Sequence, residues 1–203
     1  TMTGKPVECG YVRTEGKVIT EVGTMSALDK RHKGEEVLDV DGAWVMPGLI
    51  EAHAHIGICE EKWGAIGDDC NEQTDPVTPA LRAVDAVNAM DPAFHDAIKA
   101  GITSVMTGPG SANVVGGQFV FMKTQGRCVD NMSVLFPAAM KAALGENPKT
   151  IYGDQGKCPA TRMGAAALLR RTLLEAVQYR KDKERGRLDR EDFDKEPWMP
   201  VLQ

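Results

Sequence analysis

Two histidines stand one residue apart in "PGLIEAHAHIG", residues 47–57, directly behind an apolar run. On an extended strand, residues two apart point to the same side. His53 and His55 therefore project together while Ala52, Ala54 and Ile56 turn the other way. Two neutral imidazoles side by side can share one divalent cation, and imidazole suits zinc and its neighbours in the transition series. A bare His-x-His pair also arises where polar residues merely punctuate a strand, so its meaning depends on its surroundings.

Other chemistry-bearing residues cluster close behind. "GDDCNEQTDP" concentrates Asp68, Asp69, Asn71, Glu72 and Asp75, which either border a pocket or form a solvated loop. Glu72 and Asp75 are the candidate substrate contacts among them. "TGPGSANVVGGQ" could present backbone N–H groups to an anion but lacks the spacing of a phosphate loop, so an ordinary turn is the alternative. His95, on an amphipathic helix, and His32, in a charged turn, read as non-ligands. The five cysteines, Cys9, Cys59, Cys70, Cys128 and Cys158, are scattered and odd in number. They indicate neither a disulfide framework nor a thiolate zinc site, and Cys59 reads equally as a buried apolar thiol or a reactive one.

The elements that must hold these residues change character near Pro47. Up to residue 46 the chain alternates apolar and polar residues in short runs ended by Gly or Pro, the pattern of a small, sandwich-like β subdomain. Beyond it, "DPAFHDAIKAG" predicts a helix with Asp91 as N-cap, Pro92 in the first turn and Gly101 ending it. The β-branched run "ITSVMTGPG" follows at once, which is the rhythm of alternating α/β architecture. "MSVLFPAAMKAAL" is a further apolar segment. "TRMGAAALLRRTLLEAVQYRKDKERG" predicts a long helix with Leu168, Leu169, Leu173, Leu174 and Val177 on its apolar side and a basic, solvated opposite side. "LDREDFDKEP" reads as an exposed connection.

Composition excludes several partners. A net charge of -5 provides no basic footprint for nucleic acid or an anionic membrane. No apolar run approaches the roughly 20 residues that span a bilayer, and no secretory signal pattern opens the chain. The expectation is a cytoplasmic protein with reduced thiols and a small-molecule substrate, and a homo-oligomer is expected.

"VMPGLIEAHAHIG", preceded by "VLDVDGAWV", closely resembles the first barrel strand of the metal-dependent amidohydrolase superfamily. "KAGITSVMTGPGSANVVGGQ" is similar to that family's second strand and loop. "PAAMKAALGENPK" followed by "TRMGAAALLR" resembles the subgroup related to imidazolonepropionases and prolidase-like peptidases. The resemblance implies a (β/α)8 TIM-type barrel with chemistry at the C-terminal ends of its strands. It implies His53 and His55 as ligands of one or two divalent ions, zinc foremost, with manganese or iron as alternatives. Lys141, carboxylated by carbon dioxide, is implied as a bridging ligand, with Glu146 as the alternative carboxylate. The implied reaction is hydrolysis of a C–N bond in a cyclic amide or small peptide by metal-activated water. Deamination of a ring amine, or a non-catalytic barrel scaffold, are the alternatives.

Residues 47–203 fall well short of the roughly 250 that such a barrel needs. The chain starts at Thr1 and stops after "PWMPVLQ", so it is expected to be the first half of the barrel behind its β subdomain. The remaining half is then expected from the same or a second polypeptide, including the proton-transferring aspartate beyond Gln203, and this portion alone is expected to be inactive.

Overall fold

The computed structural model describes residues 4–28 and 34–202. His32 lies outside the described residues. The chain divides into two compact units, Thr1–Pro47 and Gly48–Gln203. In the first, strands β1 (Gly10–Glu15) and β2 (Val18–Thr24) pair antiparallel, turning through Gly16 at φ 57°. That positive φ is one a glycine adopts without steric cost. A sandwich needs a second sheet, and among the described residues of this unit there is a single two-stranded one.

The second unit is a mixed α/β fold. Its elements run β3 (Leu49–Ala54), α1 (Ala83–Ala86), α2 (Pro92–Lys99), β4 (Ile102–Thr107), β5 (Val115–Lys123), α3 (Val129–Met132), β6 (Ser133–Ala142), α4 (Glu146–Asp154) and α5 (Arg162–Glu184). The four strands form one sheet in the order β3-β4-β5-β6. β3 and β4 are parallel and joined through α2, as alternating β/α units require. The expectation of successive parallel units stops there, because β5 runs antiparallel to both β4 and β6. The glycine-rich stretch taken as a turn alternative supplies the start of β5: Val115, Gly116, Gly117 and Gln118 are buried strand residues. A turn from β4 short enough to return directly allows only antiparallel pairing.

α2 forms as its sequence dictates. Asp91 accepts a hydrogen bond from the Ala93 amide at 3.0 Å, Pro92 opens the helix, and Gly101, at φ 83°, lets the chain turn out of it into β4. Its Phe94 packs in an apolar cluster with Ile58, Val87, Val105, Val120 and Met122. In α5 the buried face is Ala165, Leu168, Ala176 and Tyr179, whereas Leu174, expected on the apolar side, is 63% exposed. The small alanines bring that face close to Val114, Val115 and Trp198. Among the described residues, no helix is long and apolar enough to cross a membrane.

Candidate metal centre

β3 ends at Ala54, so His53 is carried by the strand and His55 stands one residue beyond it. Their ring centroids lie 5.3 Å apart and edge to face, so both rings occupy one side of the strand end. His55 Nδ1 lies 2.7 Å from the carbonyl oxygen of Gly108, at the end of the neighbouring β4. A carbonyl only accepts, so Nδ1 carries the proton and Nε2 keeps its lone pair. An imidazole oriented in this way by a backbone carbonyl is a typical metal-ligand arrangement.

His53 meets a partner 88 residues away: Lys141 Nζ, from β6, lies 3.1 Å from His53 Nε2. The Lys141 charge, followed by burial and by His55, holds the His53 pKa below its ordinary value, with Glu51 opposing. Burial in turn pushes the Lys141 amine below the usual lysine range. Phe119 of β5 lies beneath both groups, its ring centroid 5.8 Å from the His53 ring and 5.8 Å from Lys141 Nζ. The period of two along β5 sends Phe119 to this face while Val120 and Met122 enter the apolar cluster. Gly108 makes the approach feasible, since a Cβ there would stand 2.4 Å from Phe119 Cγ. Two imidazoles and an amine of lowered basicity at one strand-end cluster form a donor set that fits a divalent cation.

The other candidates fall elsewhere. Glu146 is exposed at the first turn of α4, and the contact to His53 comes from Lys141. Glu72 Oε1 accepts from the amide and hydroxyl of Thr74, at 3.1 and 2.7 Å, which lowers its pKa. Asp75 Oδ1 accepts from the Val77 amide at 2.8 Å. Both carboxylates thus stabilise their own loop. Glu72, with Asp68, Asp69, Cys70 and Asn71, also lines an open cleft of about 1060 Å³ that reaches Arg82, Gln118 and Phe136. His95 is exposed on α2. Cys59 is exposed and Cys70 is the buried thiol, the reverse of the apolar reading of Cys59.

Residues that sequence reasoning passed over hold the acidic loop. The buried Asn113 donates from Nδ2 to the carbonyls of Glu72 and Asp75, at 2.6 and 2.8 Å. Tyr152 OH donates to the Asp75 carbonyl at 2.8 Å and lies 3.2 Å from that of Glu72. Asp91 does more than cap α2, because its Oδ2 accepts from the Gly57 amide at 3.0 Å, two residues past His55. No spacing rule links these partners, which lie 34 to 80 residues apart.

No family model matches the chain. It is 31% identical over 186 residues to the amidohydrolase tasK of Hapsidospora irregularis, a match covering 83% of this chain and 19% of tasK. It is 43% identical over 56 residues to the dihydroorotase of Bacillus pumilus, covering 28% of this chain and 12% of that enzyme. Among solved structures, an amidohydrolase from Thermotoga maritima MSB8 superposes with a TM-score of 0.80 at 37% identity, covering 94% of this chain and 50% of that one. The chain therefore spans about half of that structure and about a fifth of tasK.

Proposed function

The chain belongs to the amidohydrolase superfamily, spanning part of the length of its relatives, and on that footing we propose that it supplies the metal-holding portion of a hydrolase of C–N bonds. The observation that carries this reading is the convergence of Lys141 on His53, with His55 alongside. His53 and His55 would hold the ion through their ring nitrogens, and the Gly108 carbonyl fixes the His55 ring with Nε2 free of the proton. A divalent ion held there, zinc in the first place, would supply Lewis acidity and acidify a water towards neutrality.

Lys141 is the bridging candidate. Carboxylation requires an unprotonated amine: the nitrogen lone pair attacks carbon dioxide, one proton leaves, and a carbamate results whose single negative charge is shared over two oxygens. Burial raises the unprotonated share relative to a solvated lysine. The substrate class is a cyclic amide or a small peptide.

The rest of a barrel is the expected partner. β3 and β6 are the outer strands of the sheet and run in the same direction, since two successive antiparallel pairings separate β6 from β4. Leu49 and Ile50 on one edge and Val134 and Leu135 on the other are exposed. Bare apolar edges of this kind call for further strands to cover them. The proton-transferring carboxylate belongs to that remaining portion.

Elemental analysis of the intact protein, purified without chelator, tests the reading together with assays on a dihydropyrimidine-type cyclic amide, a dipeptide and an aminated heterocycle. Loss of at least one equivalent of metal in a His53→Ala, His55→Ala double variant, with turnover of an amide by the wild type, is the expected result. Metal content indifferent to both histidines overturns it, and turnover of the aminated ring alone replaces hydrolysis by deamination.

A further inference from the structure

Among the described residues, and outside the histidine site, one further group of potential ligands is brought together. Cys59 and Cys70 are 11 residues apart with no motif between them, yet Cys59 and Asp68 face each other across an antiparallel bridge. The Asp69 amide donates to the Ile58 carbonyl at 2.9 Å and the Glu60 amide to the Gly67 carbonyl at 2.7 Å, closing the segment between them into a ribbon. Cys70 follows Asp68 by two residues and is folded back by a hydrogen bond from its own amide to Asp68 Oδ1 at 3.2 Å. As a result the two Sγ atoms and a carboxylate oxygen all lie within 4.8 Å of one another, with Cys59 Sγ 3.7 Å from Asp68 Oδ1.

We propose that Cys59, Asp68 and Cys70 form a second metal site, for a thiophilic divalent cation such as zinc, with its fourth position open to a small ligand. Tetrahedral zinc with bonds of about 2.3 Å to sulfur and about 2.0 Å to oxygen sets ligand separations of roughly 3.5 Å for S···O and roughly 3.8 Å for S···S. The Cys59–Asp68 separation of 3.7 Å is already close to the S···O value, and the remaining separations, all within 4.8 Å, need a contraction of at most about 1 Å. A divalent ion there would take the place of the two thiol protons, so its binding would release protons and tighten as pH rises.

The backbone ties this group to the histidine site without sharing its ligands. The Cys59 amide donates to the His55 carbonyl at 2.9 Å, and the Gly110 amide donates to the Cys70 carbonyl at 2.7 Å. An ion here would pin the ribbon against both loops that flank His55.

The test is a titration of the reduced, metal-free protein with cobalt(II) alone, reading sulfur-to-cobalt charge-transfer absorption. The band should appear in the wild type, saturate at one ion in a His53→Ala, His55→Ala double variant, persist in Cys128→Ser, and vanish in Cys59→Ser. Because Cys59 is exposed, that variant should keep its fold, which circular dichroism checks; Asp68→Asn should weaken binding without removing the band. Absence of the band in the folded wild-type protein, its survival in Cys59→Ser, or its loss with the histidines would overturn the proposal, as would a Cys59–Cys70 disulfide that persists after reduction.

Discussion

Lys141 Nζ stands 3.1 Å from His53 Nε2, although 88 residues separate the two in sequence. β6 reaches β3 only by way of β4 and β5, so the pair reports on the assembly of the whole sheet. Replacing Lys141 by Arg keeps the charge but removes the amine that carbon dioxide can modify. Outer-sphere partners of metal ligands typically contribute 10- to 100-fold to affinity, so loss of a direct ligand should weaken metal binding by more than about 100-fold. Equilibrium dialysis against zinc checks this, and Lys141→Arg retaining wild-type affinity would remove Lys141 from the ligand set.

Gly108→Ala should disturb the same site through its floor. The new methyl would stand 2.4 Å from Phe119 Cγ, so the ring or β4 must shift. Overpacking of this kind costs about 1–3 kcal/mol. The ring supports both His53 and Lys141, so weaker metal retention should accompany the stability loss. Denaturant unfolding and metal analysis on the same preparation check both effects.

These two cases also mark what could be read in advance. The His53 and His55 pairing was legible because period two is a local property of a strand, and α2 was legible because Asp91, Pro92 and Gly101 each answer a local backbone demand. The approach of Lys141 was accessible only through resemblance, since nothing local fixes a partner three strands away. β5 was obscured by its own sequence. Gly116 and Gly117 look like turn residues, but Gly117, at φ 119°, is needed because a Cβ there would stand 2.5 Å from the Leu81 carbonyl, while one at 116 would come 3.3 Å from Lys141 Cγ. The asparagine, tyrosine and aspartate that hold the loops left no pattern, because a buried hydrogen bond between distant segments requires none.

Asp91 offers a test of one such tie. Its carboxylate caps α2 through Ala93 and also holds the Gly57 amide, in a position only 2% exposed. Asp91→Ala removes a cap worth about 1 kcal/mol and leaves the Gly57 donor buried without its acceptor, for a further 1–3 kcal/mol. The expected loss is about 2–4 kcal/mol by urea unfolding. Asp91→Asn keeps one acceptor oxygen and should recover roughly half of it. Equal losses in the two variants would mean that charge rather than hydrogen bonding holds the loop.

Tyr152 gives a prediction in pH. Burial, then Asp75 and Glu72, push its phenol from 10.0 up to about 12, and the hydroxyl donates to the Asp75 carbonyl beneath the acidic loop. A group whose folded pKa is raised contributes stability that is complete below its unfolded pKa and is lost as pH rises through the folded one. The wild-type protein should therefore lose this contribution progressively between about pH 10 and pH 12. Tyr152→Phe should be less stable at neutral pH by about 1–2 kcal/mol, because the loop carbonyls lose a buried donor. The gap between the two proteins should narrow across the alkaline window, where ionisation removes the same hydrogen bond from the wild type. Unfolding midpoints measured in parallel from pH 7 to pH 12 check this, and a gap that stays constant across the range would show that the hydroxyl does not anchor the loop.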